Sequence, residues 1–234
     1  MNEKAKAKHT LTRADVLQAC GPLSPDAATD ARLRRIEEDF ADGFAFLEDI
    51  HKAVSIFGST VLSEGNEYYE QARQLAARLV TEQQFTVITG GGPGIMEAAN
   101  RGAHEAGGLS AGLTIELRNH QPANEYLDRQ VDFHYFFARK VALAFAARLY
   151  IFFPGGYGTL NEFFELTMLV QTEKIRPIPI VCVGSEYWEP LRELMTQNFK
   201  NKFGVLDDDD LDLFTIVDDA DDVLKIAREA QKRT

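Results

Sequence analysis

Residues 136–174 gather the side chains that could act on a phosphorylated small molecule. Arg139 and Lys140 open an apolar run, VALAFAA, and a strand-like segment at 149–153 follows. The loop PGGYGT comes next, and then an apolar helix pattern with Glu162 in its first turn. Glycines at 155, 156 and 158 let backbone N–H groups approach an anion, and a helix N-terminus adds a favourable dipole. A second loop of this kind, Thr89-Gly90-Gly91-Gly92-Pro93-Gly94, lies at an equivalent strand–helix junction. Neither is a nucleotide fingerprint. Ile95 sits where G-x-G-x-x-G wants its final glycine, and neither loop runs into the Lys-Ser/Thr of a Walker motif, which counts against NAD and against ATP hydrolysis.

Each charged residue here has two readings. Thr159-x-x-Glu162 is a capping box, in which the threonine hydroxyl and the glutamate satisfy backbone amides of the helix start. A carboxylate beside a phosphate loop is also a candidate reacting group. Arg139 and Lys140 oppose the dipole of a helix that reads as apolar all round. A buried arginine in that position needs an anionic partner, either a protein carboxylate or a ligand phosphate.

The elements that would position these groups alternate along the chain. KAVSIFGS, FTVITG, LSAGLTIEL, VDFHYFF, IPIVCVG and FTIVDD read as further strands, and NEYYEQARQLAARLVTE, GIMEAANRGAHEAGG, YWEPLRELMTQNFKN and DDVLKIAREAQKR as helices. The expected fold is α/β: a Rossmann-like, doubly wound parallel sheet flanked by helices, with ligands at the C-terminal strand edge. Residues 51–234 would form this domain and residues 1–50 an N-terminal helical extension. That extension has helical spacing at Leu33, Ile36, Phe40, Phe44 and Leu47, with Ser24 or Asp26 as cap and Gly43 as a break. Its simplest role is packing on the domain or on a partner subunit. Ser59, in the turn after the first strand, and Glu116 and Asn124, near the third, are further candidates for substrate contact.

Bulk properties narrow the classes. Across 234 residues, 45% hydrophobic, the net charge is −11, which argues against non-specific nucleic-acid binding. Cys20 and Cys182 do not make a disulfide framework, and a reducing cytoplasm fits. There is no signal-peptide pattern at the N-terminus and no apolar run of bilayer-spanning length. The histidines are scattered without metal-ligand spacing, and Asp207 to Asp210 read as a solvated loop. No metal or cofactor is called for.

ITGGGPGIMEAANRGAHEAGG, the ARK of 138–140 and PGGYGTLNE together resemble the LOG family, also catalogued as possible lysine decarboxylases. The likeness runs from about Val54 to Trp188 and takes in GLTIEL and FPGGYGTLNEFFELTMLVQTEKI. It implies a Rossmann-like homodimer that hydrolyses the N-glycosidic bond of AMP or a cytokinin riboside 5′-monophosphate, giving free base and ribose 5-phosphate. On the family's pattern the catalytic pair falls on Arg139 and Glu162. The substrate-binding positions fall on Gly91, Gly92, Gly94, Lys140, Gly155, Gly156, Gly158 and Thr159. The chain departs from cytokinin-activating members in its N-terminal extension, in residues 118–126, and in having Phe136, Phe137 and Ala138 where Met-His-Glu is common. A decarboxylase would need pyridoxal phosphate, and nothing in the sequence specifies a Schiff-base lysine environment. The alternative of another class is a non-catalytic carrier of a phosphorylated ligand, as molybdenum-cofactor carriers of similar architecture are.

Overall fold

The computed structural model describes residues 27–116 and 122–232. The chain divides between Arg35 and Ile36 into two units; the boundary falls within the first helix, and the sheet and all later elements belong to the second unit. In chain order the first elements are α1 (Ala27–Leu47), β1 (Ala53–Phe57), α2 (Glu67–Gln83), β2 (Thr86–Thr89), α3 (Ile95–Glu105) and β3 (Ser110–Ile115). Then come β4 (Arg129–Phe133), α4 (Phe136–Ala146), β5 (Ala147–Phe152), α5 (Tyr157–Gln171) and β6 (Ile180–Val183). After α6 (Ser185–Leu194) and a π-helical segment (Met195–Lys202), the chain closes with α7 (Asp208–Leu211), β7 (Phe214–Val217) and α8 (Ala220–Lys232).

The seven strands among the described residues all pair in parallel, in the order β4-β3-β2-β1-β5-β6-β7. This is the expected doubly wound sheet, and its order reverses at β1 and β5. The five inner strands read as largely apolar runs because both faces are covered, whereas the edge strand β4, RQVDF, is mostly polar and partly exposed. Side chains alternate between two layers with the period of a strand. Val54, Ile56, Leu149 and Ile151 pack with α2, α3 and α8. Ala53, Phe57, Tyr150 and Phe152 face the opposite way, with α4, α5 and α6.

Three local expectations change. Gly43 does not break α1, which runs through it; a Cβ there would meet the Phe133 ring at 2.8 Å, so the glycine permits close packing. The aromatic stretch VDFHYFF divides, with its first three residues ending β4 and Phe136 and Phe137 opening α4. The aspartate run is no plain loop: Asp207 and Asp210 form a reciprocal capping box on the one-turn α7. The Ser24 or Asp26 cap lies outside the described residues. Among the described residues no helix is long and apolar enough to cross a membrane.

Candidate active site

A cleft of about 400 Å³ opens at the C-terminal edge of the sheet, where the strand order reverses. Its walls come from the loops after β1, β2 and β5, from the end of β3, and from the first turns of α4 and α5. Apolar strand ends thus deliver three loops and the end of β3 to one place, and each brings backbone or a short polar side chain.

The first glycine loop is fixed from below. Gly91 and Gly94 have positive φ values of 71° and 72°, and a Cβ on Gly94 would strike the backbone of Ser59 and Thr60. Buried Asn100 accepts from the Thr89 hydroxyl at 2.6 Å and donates to Ser110 Oγ at 2.9 Å. Asn124 donates from its side chain to the Asn100 carbonyl oxygen (2.9 Å) and to Gly92 O (3.1 Å), and from its backbone N–H to Gly91 O (2.9 Å). Asn124 therefore braces the loop's outer side and does not line the cleft.

The second loop begins α5. Its cap position is Gly156, without a side-chain cap bond, so Thr159 lies inside the first turn and Glu162 in the second. The expected Thr159–Glu162 capping box does not form. Glycine starts the helix earlier than threonine would, and both side chains are left for other partners. Gly156 and Gly158 face open space, and the Gly155 carbonyl accepts from the Tyr187 hydroxyl at 2.6 Å.

Arg139 and Glu162 meet at the cleft floor. Arg139 Nη2 donates to Glu162 Oε1 at 3.4 Å, and the two side chains are 11% and 16% exposed. Arg139 Nε is buried and has no hydrogen-bond partner among the described residues. Its guanidinium lies 5.3 Å from the centre of the Phe136 ring. Burial lowers the Arg139 pKa, and Glu162 pulls it back up. Burial pushes Glu162 up to about 7, against the downward pull of Arg139 and Lys140 and with a push from Glu165. A carboxyl poised there can hold or release a proton at neutral pH. Next to it, Phe163 packs edge-on to Phe152 and is fully buried, which pins α5 to the sheet.

The cleft brings together Ser59, Gly91, Gly92, Arg139, Gly156, Gly158, Thr159 and Glu162. Gly94 and Gly155 shape the loops from outside it. Lys140 turns away, ion-paired to Glu165 and donating to Asn161 Oδ1 at 3.2 Å. Glu116 lies beside His134, 3.4 Å from its Nε2. The helix of Arg139 is not buried all round: Phe136, Phe137 and Phe145 are exposed. Sequence reasoning passed over Thr60, Met96, Thr114, Phe136 and Tyr157, which also line the cleft. Tyr157 is 95% exposed, and its place inside PGGYGT was the available signal.

Residues 96–227, more than half of the chain, match the model of a family described as "Possible lysine decarboxylase". The chain belongs to the LOG family. A cytokinin riboside 5′-monophosphate phosphoribohydrolase of Arabidopsis thaliana is 31% identical over 138 residues, covering 58% of this chain. The chain spans 60% of that relative's length. An enzyme of the same name from Rhodococcoides fascians is 25% identical over 142 residues, 60% of this chain and 72% of its own. In fold, a molybdenum cofactor binding protein from Rippkaea orientalis is similar at 18% identity and a TM-score of 0.58, over 77% of this chain and 98% of that one. The family's descriptive name would call for pyridoxal phosphate. Among the described residues no lysine lines the cleft, so the side chains do not fit that cofactor.

Proposed function

We propose that this LOG-family chain is a nucleoside 5′-monophosphate phosphoribohydrolase. The observation that carries the reading is the buried Arg139–Glu162 pair, with Glu162 poised near pH 7, facing a cleft walled by two glycine loops. The exposed backbone of Gly156 and Gly158 at the start of α5, with Gly91 and Gly92 opposite, would hold the 5′-phosphate. Binding energy from that remote group would orient the ribose over Glu162. Water then attacks C1′ as the C1′–N bond breaks, the bonding pair leaves with the base nitrogen, and Glu162 takes a proton from the water and passes it to that nitrogen, which frees the neutral base and restores the carboxylate. The Arg139 guanidinium, with a free Nε–H, would steady the ribose or the departing base. The products are free base and ribose 5-phosphate.

The same reading takes the protein as a cytoplasmic homodimer. The exposed Phe137 and Phe145 on α4 and Phe164 and Met168 on α5 support a subunit contact. A panel of nucleoside 5′-monophosphates, assayed for release of free base and starting with AMP, tests the activity. Tight binding of a monophosphate without base release would favour a non-catalytic binding function, such as the one named for the Rippkaea orientalis protein.

A further inference from the structure

The start of α4 decides where Arg139 points, and α4 supplies no anchor of its own there. The helix has no acidic residue in its first turn and no side-chain bond at its cap, Tyr135. Arg139 and Lys140 load that end with positive charge, against the dipole. The guanidinium itself is held by little: Glu162 at 3.4 Å, the Phe136 ring, and no partner at Nε. Its position therefore derives from the backbone beneath it.

The other end of α4 runs into β5 without a loop, and its last carbonyls are met by the sheet. Ser55 Oγ donates to Leu143 O at 3.1 Å, and the Tyr150 hydroxyl donates to Ala144 O at 2.6 Å. At the N-terminal end the matching partner comes from 95 residues away in sequence. Asp39 of α1 is 3% exposed. Its carboxylate accepts from the backbone N–H of His134 (3.0 Å), from the N–H of Tyr135 (2.9 Å), and from His134 Nδ1 (2.9 Å). A buried carboxylate with three donors is well satisfied, and it places a negative charge against the helix start. The first turn then closes through Arg139 N–H to Tyr135 O, 3.2 Å.

We propose that Asp39 is a positioning residue for Arg139. It clamps residues 134–135 so that the first turn of α4 presents the guanidinium to Glu162 and the cleft. Part of the N-terminal extension is thereby a working part of the site. The catalytic consequence rests on the function proposed above; the clamp itself does not.

The test compares Asp39→Ala, Asp39→Asn and a control, Arg129→Gln. Arg129 also ties β4 to the end of α1, through hydrogen bonds to Asp49 and the Phe46 carbonyl, away from the N–H groups of residues 134–135 that Asp39 holds. Full-length proteins are assayed for kcat and KM on AMP, for thermal unfolding, and for amide hydrogen exchange. Asp39→Ala should lower kcat on the order of 100-fold, as for a sub-ångström to ångström misplacement, with KM changed less than about threefold. Exchange should accelerate at residues 134–140 and stay unchanged in α2 and α3. Asp39→Asn keeps an acceptor oxygen and should recover part of kcat. Arg129→Gln should lower the unfolding temperature and leave kcat in place. The proposal is overturned if Arg129→Gln lowers kcat as much as Asp39→Ala, if KM rises while kcat holds, or if exchange at 134–140 does not move. If the wild type releases base from no monophosphate, the proposed activity fails, and the exchange measurements alone decide the clamp. If Asp39→Ala does not fold, Asp39→Asn carries the same comparisons at smaller amplitude.

Discussion

Two cation–carboxylate pairs join α4 to α5, built from neighbouring residues and facing different ways. Arg139 and Glu162 face the cleft, nearly buried, at 3.4 Å, with one guanidinium nitrogen unpartnered. Lys140 and Glu165 sit in closer contact on the other side, at 20% and 29% exposure, with Asn161 as a further acceptor. Side chain for side chain the pairs are nearly interchangeable. What separates them is water. The more exposed pair is screened by solvent, with Lys140 set against Glu165 and Asn161, and it fastens helix to helix. The inner pair is desolvated, incompletely matched and shifted in proton affinity, which is the condition of groups that do chemistry.

The largest effect expected from this contrast is on turnover. Glu162→Gln keeps size and polarity but cannot take a proton, and base release from AMP should fall roughly 10³-fold. A Gln variant at near wild-type rate would remove the functional distinction between the pairs. Arg139→Gln should follow, with a loss of about 100-fold in kcat/KM. It should also shift the pH profile. Arg139 is the largest influence holding the Glu162 pKa down, so its removal moves the rising limb to higher pH. A limb that stays put would mean that Arg139 does not set the proton affinity of Glu162.

The third expectation concerns stability. The folded pKa of Glu162, about 7, lies above its ordinary 4.5, so the folded state holds the proton more tightly than the unfolded chain. Its contribution is fully present below pH 4.5 and is lost as pH rises through 7. Glu162→Gln mimics the protonated form and should be more stable than wild type at pH 8, by up to ~3 kcal/mol, with the gap closing toward pH 4.5. Urea unfolding across that window measures it, and a pH-independent difference would contradict the assignment. The smallest effect belongs to the outer pair. Glu165→Gln should cost about 1 kcal/mol or less and leave AMP turnover within about threefold. Because Glu165 pushes the Glu162 pKa up, the rising limb should move slightly to lower pH.

Much of this was legible in one dimension. Alternating apolar segments and amphipathic helices fix a parallel sheet, because strands covered on both faces must be apolar throughout. The glycines of 90–94 and 155–158 mark loops that side chains would obstruct, and their places after strands put both at one edge. Arg139 and Glu162 were marked by an awkward charge at an apolar helix start and by a carboxylate beside a glycine loop.

The tertiary structure decided the rest, because it turned on distances and burial that sequence spacing does not encode. Thr159 and Glu162 have capping-box spacing, yet Gly156 opens the helix and releases them, while the same motif forms at Asp207 and Asp210. Arg139 and Lys140 are adjacent, but roughly 100° of helix rotation sends one to the cleft and the other away from it. Asp39 is one acid among many on α1 until the fold carries it to His134 and Tyr135. Residue types and order determined which chemistry was available to this chain. Desolvation and long-range contact decided which of the available groups stand buried together at the cleft.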